Sequence, residues 1–507
     1  MQTYDKIIKR VEAARSDKAL WEETLRECYR YAMPERNTID KWSKGAKKDE
    51  YVFDSTAIDA TEDFASRMES EIVPSNTHWM KLEAGSDIPE QQKQDVEKYL
   101  DKSTEVLFDH INSSNFSSQI HEAFLDLAIS TGALIVEEGD GIQSSLNFRA
   151  VSLSELLLER SYRGIVETVW RDITVTVADI KEIWPSAKLT DEIERLIEDK
   201  PTTEIKLIEG IMKVDVGFES VLLYPEKKEI LIQEQLDSSS WVVFRTSTIP
   251  GETYGRGPVM RCLRDIKTLN LMVEDHLKAS AFTANPMFTA ADDGVINPYT
   301  VELEPGMVIP VGSNDQSNPT LRPLPTGGDY NVLQYDIRAL QDNIRRIMIS
   351  KPFGNIEETP VRSATEMSIR NAELAKTSVS TSGRIQSELL EQVVKRCVYI
   401  LKKAGKIADM RVDGKEVAVK FTSPAARQQD EFMLAAYGRY MEIMQMLPME
   451  ATANSVKIEE FPVEIANILG IPSKLIRSKL EIQQMNELKA QQQLQVQQVA
   501  AQGGQPQ

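Results

Sequence analysis

The stretch PVMRCLRDIKTLNLMVEDHLKASAFTAN, residues 258–285, decides the architecture of this chain. Its apolar residues recur at steps of three, four and seven, which is the spacing of one helix face, and its first residue is a proline, which suits a first helical turn. The stretch 328–350 repeats this spacing, and the residues of its stripe are Leu333, Ile337, Leu340 and Ile344. The sequence therefore predicts two long helices, which reach roughly 40 and 30 Å at about 1.5 Å per residue. Because each has only a narrow apolar stripe, we expect neighbours from other subunits.

The segments around the second helix carry strong local signals. The insert 286–327 is rich in proline and contains the strand candidate 306–311, so we expect a small α/β lobe. The segment KPFGNIEETPVR at 351–362 is kept out of regular structure by two prolines and a glycine. Ser363 and Glu366 have the spacing of a capping box, which predicts a helix over 364–403 with a bend near Gly383.

The rest of the chain divides by hydrophobic period. Helical spacing predicts helices over 3–33, 55–72, 90–113 and 117–130, and again within 177–200. Alternating apolar residues predict strands over 133–138, 146–151, 165–172, 205–218, 221–224, 229–235 and 241–245. Asp413-Gly414 predicts a two-residue hairpin, Pro424 precedes another helix, and Gly405 is the expected end of the helix before them. The glutamine-rich tail 483–507 is expected to be frayed helix or disordered.

Composition excludes several classes of protein. The chain has 507 residues, 41% of them hydrophobic, and this supports two to four globular domains. A formal charge of -19 argues against a broad basic surface that grips nucleic acid. The three cysteines, Cys28, Cys262 and Cys397, are far apart and suggest neither a disulfide framework nor a metal site. No apolar run approaches the roughly 18 residues of a membrane span, and the first residues lack a signal peptide, so we expect a cytoplasmic protein and no membrane partner.

The sequence contains no convincing catalytic, cofactor or metal site. Gly255-Arg256-Gly257 has two glycines of a dinucleotide fingerprint but not the third, and a structural turn is the favoured interpretation. His110 and His121 lack metal-binding companions, and Asp292-Asp293 beside Gly294 is more typical of a turn. The methionine-rich face from Met433 to Met449 fits a docking surface, although core packing is the commoner explanation. We therefore expect no enzyme, no cofactor and no bound metal.

Three segments together resemble a known family. They are FDSTAIDATEDFASRMESEIVPSNTHWMKL at 53–82, PGETYGRGPVMRCLRDIKTLN at 250–270 and VRSATEMSIRNAEL at 361–374. Their order and spacing are similar to those of the portal, or head-to-tail connector, proteins of short-tailed bacteriophages. The resemblance covers about residues 5 to 450, and the glutamine-rich tail lies outside it.

The resemblance implies an α+β, mainly α, portal-type fold assembled as a ring. Its parts would be a wing at 1–257 that is β-rich from about 132, stem helices at 258–285 and 328–350, a clip at 286–327, a tunnel loop at 351–363, a kinked helix and hairpin of the wing at 364–423, a crown at 424–482 and the tail at 483–507. The stripe Leu333, Ile337, Leu340 and Ile344 would pack the stem between subunits. The tunnel loop would face DNA with Lys351, Asn355, Glu357, Glu358 and Arg362.

The resemblance also implies a place and partners. The protein would be a virion component at a capsid vertex, assembled in the host cytoplasm as a homo-oligomer, a dodecamer by family likeness. Double-stranded DNA would pass through its channel during packaging and ejection. The partners would be the terminase motor, tail or adaptor proteins, and capsid, scaffold and internal core proteins. Two other hypotheses stay open, namely a helical structural adaptor without a channel and a packaging-associated nuclease.

Overall fold

The computed structural model describes a mixed α/β fold. The residues described are 3–40, 45–75, 77–141, 144–284, 288–290, 321–323, 330–348, 383–408, 417–422, 424–445 and 461–468. The helices are α1 Tyr4–Ala32, α2 Thr56–Ile72, α3 Glu90–Asn112, α4 Phe116–Ile129, α5 Ile180–Ile183, α6 Asp191–Asp199, α7 Pro258–Ala284, α8 Tyr330–Ile347, α9 Glu391–Lys403, α10 Pro424–Gln445 and α11 Phe461–Ile468. The strands are β1 Met80–Ala84, β2 Thr131–Glu138, β3 Leu146–Ala150, β4 Leu156–Arg160, β5 Val166–Thr176, β6 Glu204–Lys213, β7 Phe218–Tyr224, β8 Glu229–Leu236, β9 Trp241–Arg245, β10 Phe288–Ala290, β11 Leu321–Pro323 and β12 Val417–Phe421.

The chain divides into two compact units. The larger unit comprises residues 1–23, 62–257 and 352–507. The smaller unit comprises residues 24–61 and 258–351. The smaller unit therefore holds both long helices, α7 and α8.

An antiparallel sheet in the order β4-β5-β6-β7-β8 forms the main core of the larger unit. One face of this sheet is covered by the first half of α1, whose Ile7 and Val11 are fully buried against Trp170 and Leu223. Arg10 of α1 donates to both carboxylate oxygens of Glu159 at 3.0 Å. Apolar contacts on one side of α1 and an ion pair beside them fix this helix on the sheet.

The opposite face of the same sheet is covered by α5 and α6. Thr190 caps α6 by accepting a hydrogen bond from the Ile193 amide, which satisfies a free donor of the first turn. Ile193 is fully buried and packs with Ile180 and Leu207. Since both faces of the sheet are covered, its central strands are buried on both sides.

A second sheet, in the order β3-β2-β9, lies between two helices of the larger unit. On the α4 side, Phe124 meets Phe244 edge to face with ring centroids 6.0 Å apart. On the α9 side, the buried Arg396 donates to the carbonyl oxygen of Val136 at 3.2 Å. The strand β2 is therefore fixed from both sides.

The strand β1 pairs with β12, although the two strands are more than three hundred residues apart in sequence. The two strands run antiparallel, with Met80 opposite Phe421 and Ala84 opposite Val417. Sequence periodicity did not predict β1, and the hairpin predicted at Asp413-Gly414 lies outside the described residues. The predicted strand at 417–421 exists, and its observed partner is β1.

Most helices and strands lie where the sequence predicts them. The strands β1, β4, β10 and β11 and the helix α11 were missed. The predicted strand 205–218 was wrong in its end, because β6 stops at Lys213 and β7 begins at Phe218 after a turn. The predicted helical region 177–200 is split into α5 and α6 with a short 3-10 turn before α5. Gly405 follows α9 with a φ of 69°, which confirms it as the helix end. The part of the predicted helix before Gly383, the strand candidate 306–311 and the tail lie outside the described residues. In the part of the chain that is described, no helix is both long and apolar enough to cross a membrane.

Candidate functional site: the YGRGP segment and the paired helices

The YGRGP segment, residues 254–258, is a close backbone junction. Within the larger unit, the Gly255 amide donates to the Thr131 hydroxyl at 3.0 Å and the Gly257 amide donates to the Ile129 carbonyl at 2.9 Å. A Cβ on Gly255 would lie 2.5 Å from the Ser130 carbonyl oxygen, and a Cβ on Gly257 would overlap the carbonyl oxygens at the end of α4. Both positions therefore require glycine because another backbone lies against them.

The same geometry answers the question of phosphate binding by Gly255-Arg256-Gly257. All three amides donate to protein oxygens, with the Arg256 amide bonded to the Ser247 carbonyl at 2.9 Å. No amide of the three is left for an anion. The interpretation as a structural turn is confirmed.

Two side chains of the segment anchor it further. Tyr254 is fully buried, its hydroxyl donates to the Leu156 carbonyl at 3.2 Å, and burial raises its pKa. The Arg256 guanidinium lies 5.1 Å from the ring centroid of Trp21 and forms two hydrogen bonds to Glu252, at 2.8 and 2.6 Å. Those hydrogen bonds hold the pKa of the Glu252 carboxyl below its ordinary value.

Arg245, at the end of β9, is a buried hub of the larger unit. Arg245 is 1% exposed, and its Nε and Nη2 atoms donate to the Glu388 carboxylate at 3.3 and 2.8 Å. Its remaining contacts are to the carbonyl oxygens of Thr253, at 3.0 Å, and Gly164, at 3.1 Å. Glu388 lies in the π-helical turn Gln386–Leu390 that precedes α9. One cation therefore joins its own strand to three other segments, two of which are distant in sequence.

In the smaller unit, α7 and α8 pair along only part of their length. Asn343 of α8 donates to Asp265 of α7 at 2.8 Å. Among the residues whose burial is described, the buried apolar residues of α7 end at Leu269, and the fully buried residues at α8 are Ile344 and, just beyond the helix, Met348. The first half of α7 and the last half of α8 therefore form the packed region.

The segment before α2 fastens this packed region. The Asn270 side chain accepts from the Phe53 amide at 2.7 Å and donates to the Tyr51 carbonyl at 2.9 Å. Gln341 of α8 donates to Asp54 at 2.8 Å. Two amide side chains on the paired helices thus hold the same short segment.

The other halves of the two helices expose apolar side chains. Leu271 is 57% exposed, Leu277 is also exposed, and Tyr335 of α8 is 75% exposed. An open groove with a volume of about 690 Å³ lies along the middle and last part of α8. The residues that line this hairpin groove are Met272 of α7 and Asp336, Ala339, Leu340, Asp342, Asn343 and Arg346 of α8.

Comparison with known proteins decides the family. The sequence profile of the bacteriophage head to tail connecting proteins matches residues 4–476. The chain belongs to this connector family. It is also similar to a protein described as a probable portal protein of Bordetella phage BPP-1, with 19% identity over 97% of this chain and 92% of that protein. Membership in the family implies assembly with copies of the same chain and with capsid and tail proteins.

The residues predicted to pack the stem of this connector differ in exposure. Ile344 is fully buried within the smaller unit, whereas Ile337 and Leu340 are half-buried. The Leu333 side chain lies outside the described residues, although its backbone belongs to α8. Ile337 and Leu340 are thus the members of the stripe that remain partly accessible.

Other predicted positions fall partly or wholly outside the described residues. The residues wholly outside include the five of the tunnel loop, which are Lys351, Asn355, Glu357, Glu358 and Arg362. Asp292-Asp293 also lie wholly outside. Of the clip, the described part is β10 paired antiparallel with β11. On the methionine-rich face, Met433 is exposed and Tyr440 stacks on Phe461 with centroids 6.2 Å apart, and the part beyond residue 445 is not described.

The two histidines considered as metal ligands each have protein partners. His121 lies between Glu69, at 3.2 Å, and Glu62, at 3.6 Å, while His110 accepts from the Ser145 amide at 3.4 Å. Within the described ranges, no group of three or more His, Cys, Asp and Glu side chains is arranged to hold a metal ion. All three cysteines are buried, and burial raises the pKa of Cys28 and Cys262 to about 12.

Sequence reasoning missed the ion pair between the buried Arg245 and the partly buried Glu388. Charged residues on a strand and a helix are ordinarily expected at the surface. The available signal was weak: Arg245 ends a strand in which the apolar residues are continuous, and Glu388 stands directly before Leu389-Leu390. Neither pattern identifies the partner.

Replacing Gly257 with alanine should destabilise the larger unit. The added Cβ would force apart the backbones of the YGRGP segment and α4, and strain of this kind costs about 1–3 kcal/mol. Gly438 is the matched control, because a Cβ there meets nothing within 4 Å and alanine favours a helix by about 1 kcal/mol. Urea unfolding followed by tryptophan fluorescence should show a lower midpoint for G257A alone. Equal midpoints for G257A and the unmodified chain would contradict the junction.

Replacing Glu388 with glutamine should lower the free energy of unfolding more than the same replacement of Glu391 in α9. E388Q leaves the Arg245 guanidinium buried without its counter-ion, and loss of one partner of a buried pair costs about 3–5 kcal/mol. The control is Glu391→Gln, because the Glu391 to Lys395 pair at 2.7 Å is more exposed to water than the Arg245 to Glu388 pair, and a solvent-exposed pair contributes less than about 1 kcal/mol. Thermal unfolding of both variants measures the difference, and similar shifts in Tm would argue against the hub.

Proposed function

We propose that this connector is a portal subunit, which forms a ring at one capsid vertex through which double-stranded DNA enters and leaves. The observation that carries this proposal is the pair of helices α7 and α8. Among the residues whose burial is described, the buried apolar side chains of α7 lie in its first half and those of α8 lie at its end. The exposed apolar side chains of the other halves favour contact with further copies.

The role of the two helices follows from these exposed halves. Leu271 and Tyr335 leave apolar surface in water in the single chain, and contact with further copies would bury it favourably. In the proposed ring these halves form the stem, and Ile337 and Leu340 pack between subunits. The exposed apolar side chains of one copy would then contact those of neighbouring copies.

The segment that follows α8 in sequence is the proposed contact to DNA. Lys351 and Arg362 would meet phosphates transiently, whereas Glu357 and Glu358 would keep the contact weak. Pro352 and Pro360 separate this loop from the helical sequence on either side. The family supports capsid and tail partners, and the terminase motor completes the proposed set.

The charge of the chain fits passage of DNA better than retention. If twelve copies assemble, twelve times -19 gives a ring charge on the order of -230 before counter-ions are counted. A field of this sign repels a phosphate polymer from the outer surface of the ring. DNA is then held by confinement and by the few cations of the loop.

Replacing Leu340 with aspartate should prevent ring assembly. A charge placed in an apolar subunit contact costs several kcal/mol per subunit. The control is Gln334→Asp, which adds the same charge at an exposed position of α8. Size-exclusion chromatography should show rings for Q334D and smaller species for L340D. Since Leu340 is only half-buried, circular dichroism should show folded chains for both, and normal rings from L340D would refute the packing role.

Deleting Asn355 to Glu358 should leave assembly intact but impair DNA packaging or DNA retention. A shorter loop would reach less far into the channel. The measurement is the yield of DNA-filled particles in a packaging assay that compares the deletion with the unmodified chain. Normal packaging and retention would show that this loop only links the segments on either side of it. Such a result would favour a structural adaptor without a channel constriction.

A further inference from the structure

The turn between β4 and β5 exposes an unusual pair of side chains. This turn, residues 161–165 with the sequence SYRGI, is called the tip below. Tyr162 is 89% exposed and Ile165 is 52% exposed, so both present apolar surface to water. Arg163 lies beside them, and tyrosine and arginine are enriched among the residues that dominate protein interfaces.

The backbone of the tip is held by hydrogen bonds. The Gly164 amide donates to the Ser161 carbonyl at 2.9 Å, and the Ser161 amide donates to the Ile165 carbonyl at 2.9 Å. Gly164 has a φ of 82°, which glycine adopts without strain. Its carbonyl accepts from the buried Arg245 at 3.1 Å. The tip is therefore tied to the hub described above.

The side chains of Tyr162 and Arg163 are held against each other. The Arg163 Nε atom donates to the Tyr162 hydroxyl at 2.7 Å, and its guanidinium lies 5.3 Å from the ring centroid. A cation over a tyrosine ring is attracted to the ring face. Binding a partner would then cost less side-chain entropy than it would for two free side chains.

The hairpin groove has the complementary character. Met272, Ala339 and Leu340 supply an apolar lining, and Asp336 and Asp342 supply two carboxylates. Its volume of about 690 Å³ is within the range of protein pockets that enclose a ligand, about 300–1,000 Å³. The groove thus suits an aromatic ring accompanied by one cation.

The cation within the groove does not cancel this character. Arg346 donates to Asn343 at 2.7 Å, and Asn343 is bonded in turn to Asp265, so the guanidinium is held at one side. Asp342 lies 3.9 Å from the Arg345 guanidinium, so Asp336 is the carboxylate of the groove that stays available to a cation. Among the described residues, Asp336 forms no ion pair.

We propose that the tip of each copy inserts Tyr162 into the hairpin groove of a neighbouring copy and pairs Arg163 with Asp336. This contact rests on the proposed ring. Each copy carries both a tip and a groove, so the contact is head to tail, which is the type that closes into rings. The occupant is a second copy because the tip of the same chain carries the cation and the aromatic ring that complement Asp336 and the apolar lining of the groove.

Chemical cross-linking of the full chain tests the contact. The variant Tyr162→Cys/Ala339→Cys places one thiol on the tip and one in the groove. The native cysteines are buried, so a short bismaleimide should react first with the two new thiols. The matched control is Val216→Cys/Ala339→Cys, because Val216 is 73% exposed at another turn of the larger unit.

We expect most Y162C/A339C subunits to become covalent dimers and larger species on denaturing gels. Each single variant should give few, and the Val216 control should give no more than the single variants. Rings in electron micrographs with no excess cross-linking over the control would overturn the contact while leaving the proposed function intact. Absence of rings from the unmodified chain would instead refute the proposed function and the contact together.

A charge exchange provides an independent test. Arg163→Asp should raise the concentration at half-assembly by at least about tenfold, as loss of an interface hot spot does. The double variant Arg163→Asp/Asp336→Arg should recover most of that loss, because the pair is restored with reversed charges. If R163D assembles as the unmodified chain does, or if D336R brings no recovery, the pairing is wrong.

Discussion

The buried guanidinium of Arg245 is the constraint on which much of the larger unit depends. A charge removed from water needs partners for its donors, and here they are Glu388 and the carbonyl oxygens of Thr253 and Gly164. These partners lie in the turn before α9, in the segment that leads into YGRGP and in the tip after β4. Because the Arg245 guanidinium needs all of these acceptors, it holds together loops that are far apart in sequence and would otherwise move independently.

Local periodicity predicted most of the helices because each buries one continuous face. It failed where burial depends on distant partners. The run Leu156-Leu157-Leu158 does not alternate, since β4 is covered on both faces, and leucine gives no preference for a strand. The strand β1 is defined by its pairing with β12, more than three hundred residues later in sequence, and no local pattern reports such a partner.

The candidate site was predictable to a similar extent. The stripe through Ile337, Leu340 and Ile344 was visible in the sequence, but the division between buried Ile344 and half-buried Leu340 depends on where α7 and α8 cease to pack. The glycines of YGRGP indicated a turn. Their necessity comes from carbonyl oxygens at the end of α4, which the sequence does not place beside them.

The two long helices relate this fold to its proposed role, because a connector must leave surface uncovered for its own copies. Among the residues whose burial is described, the buried apolar side chains lie in the first half of α7 and at the end of α8, whereas Leu271, Leu277 and Tyr335 are exposed in the single chain. Negative-stain electron microscopy of the purified full-length protein is the most direct measurement. The ring proposal predicts closed particles with a central hole, and a solution of uniform monomers at high concentration would contradict it.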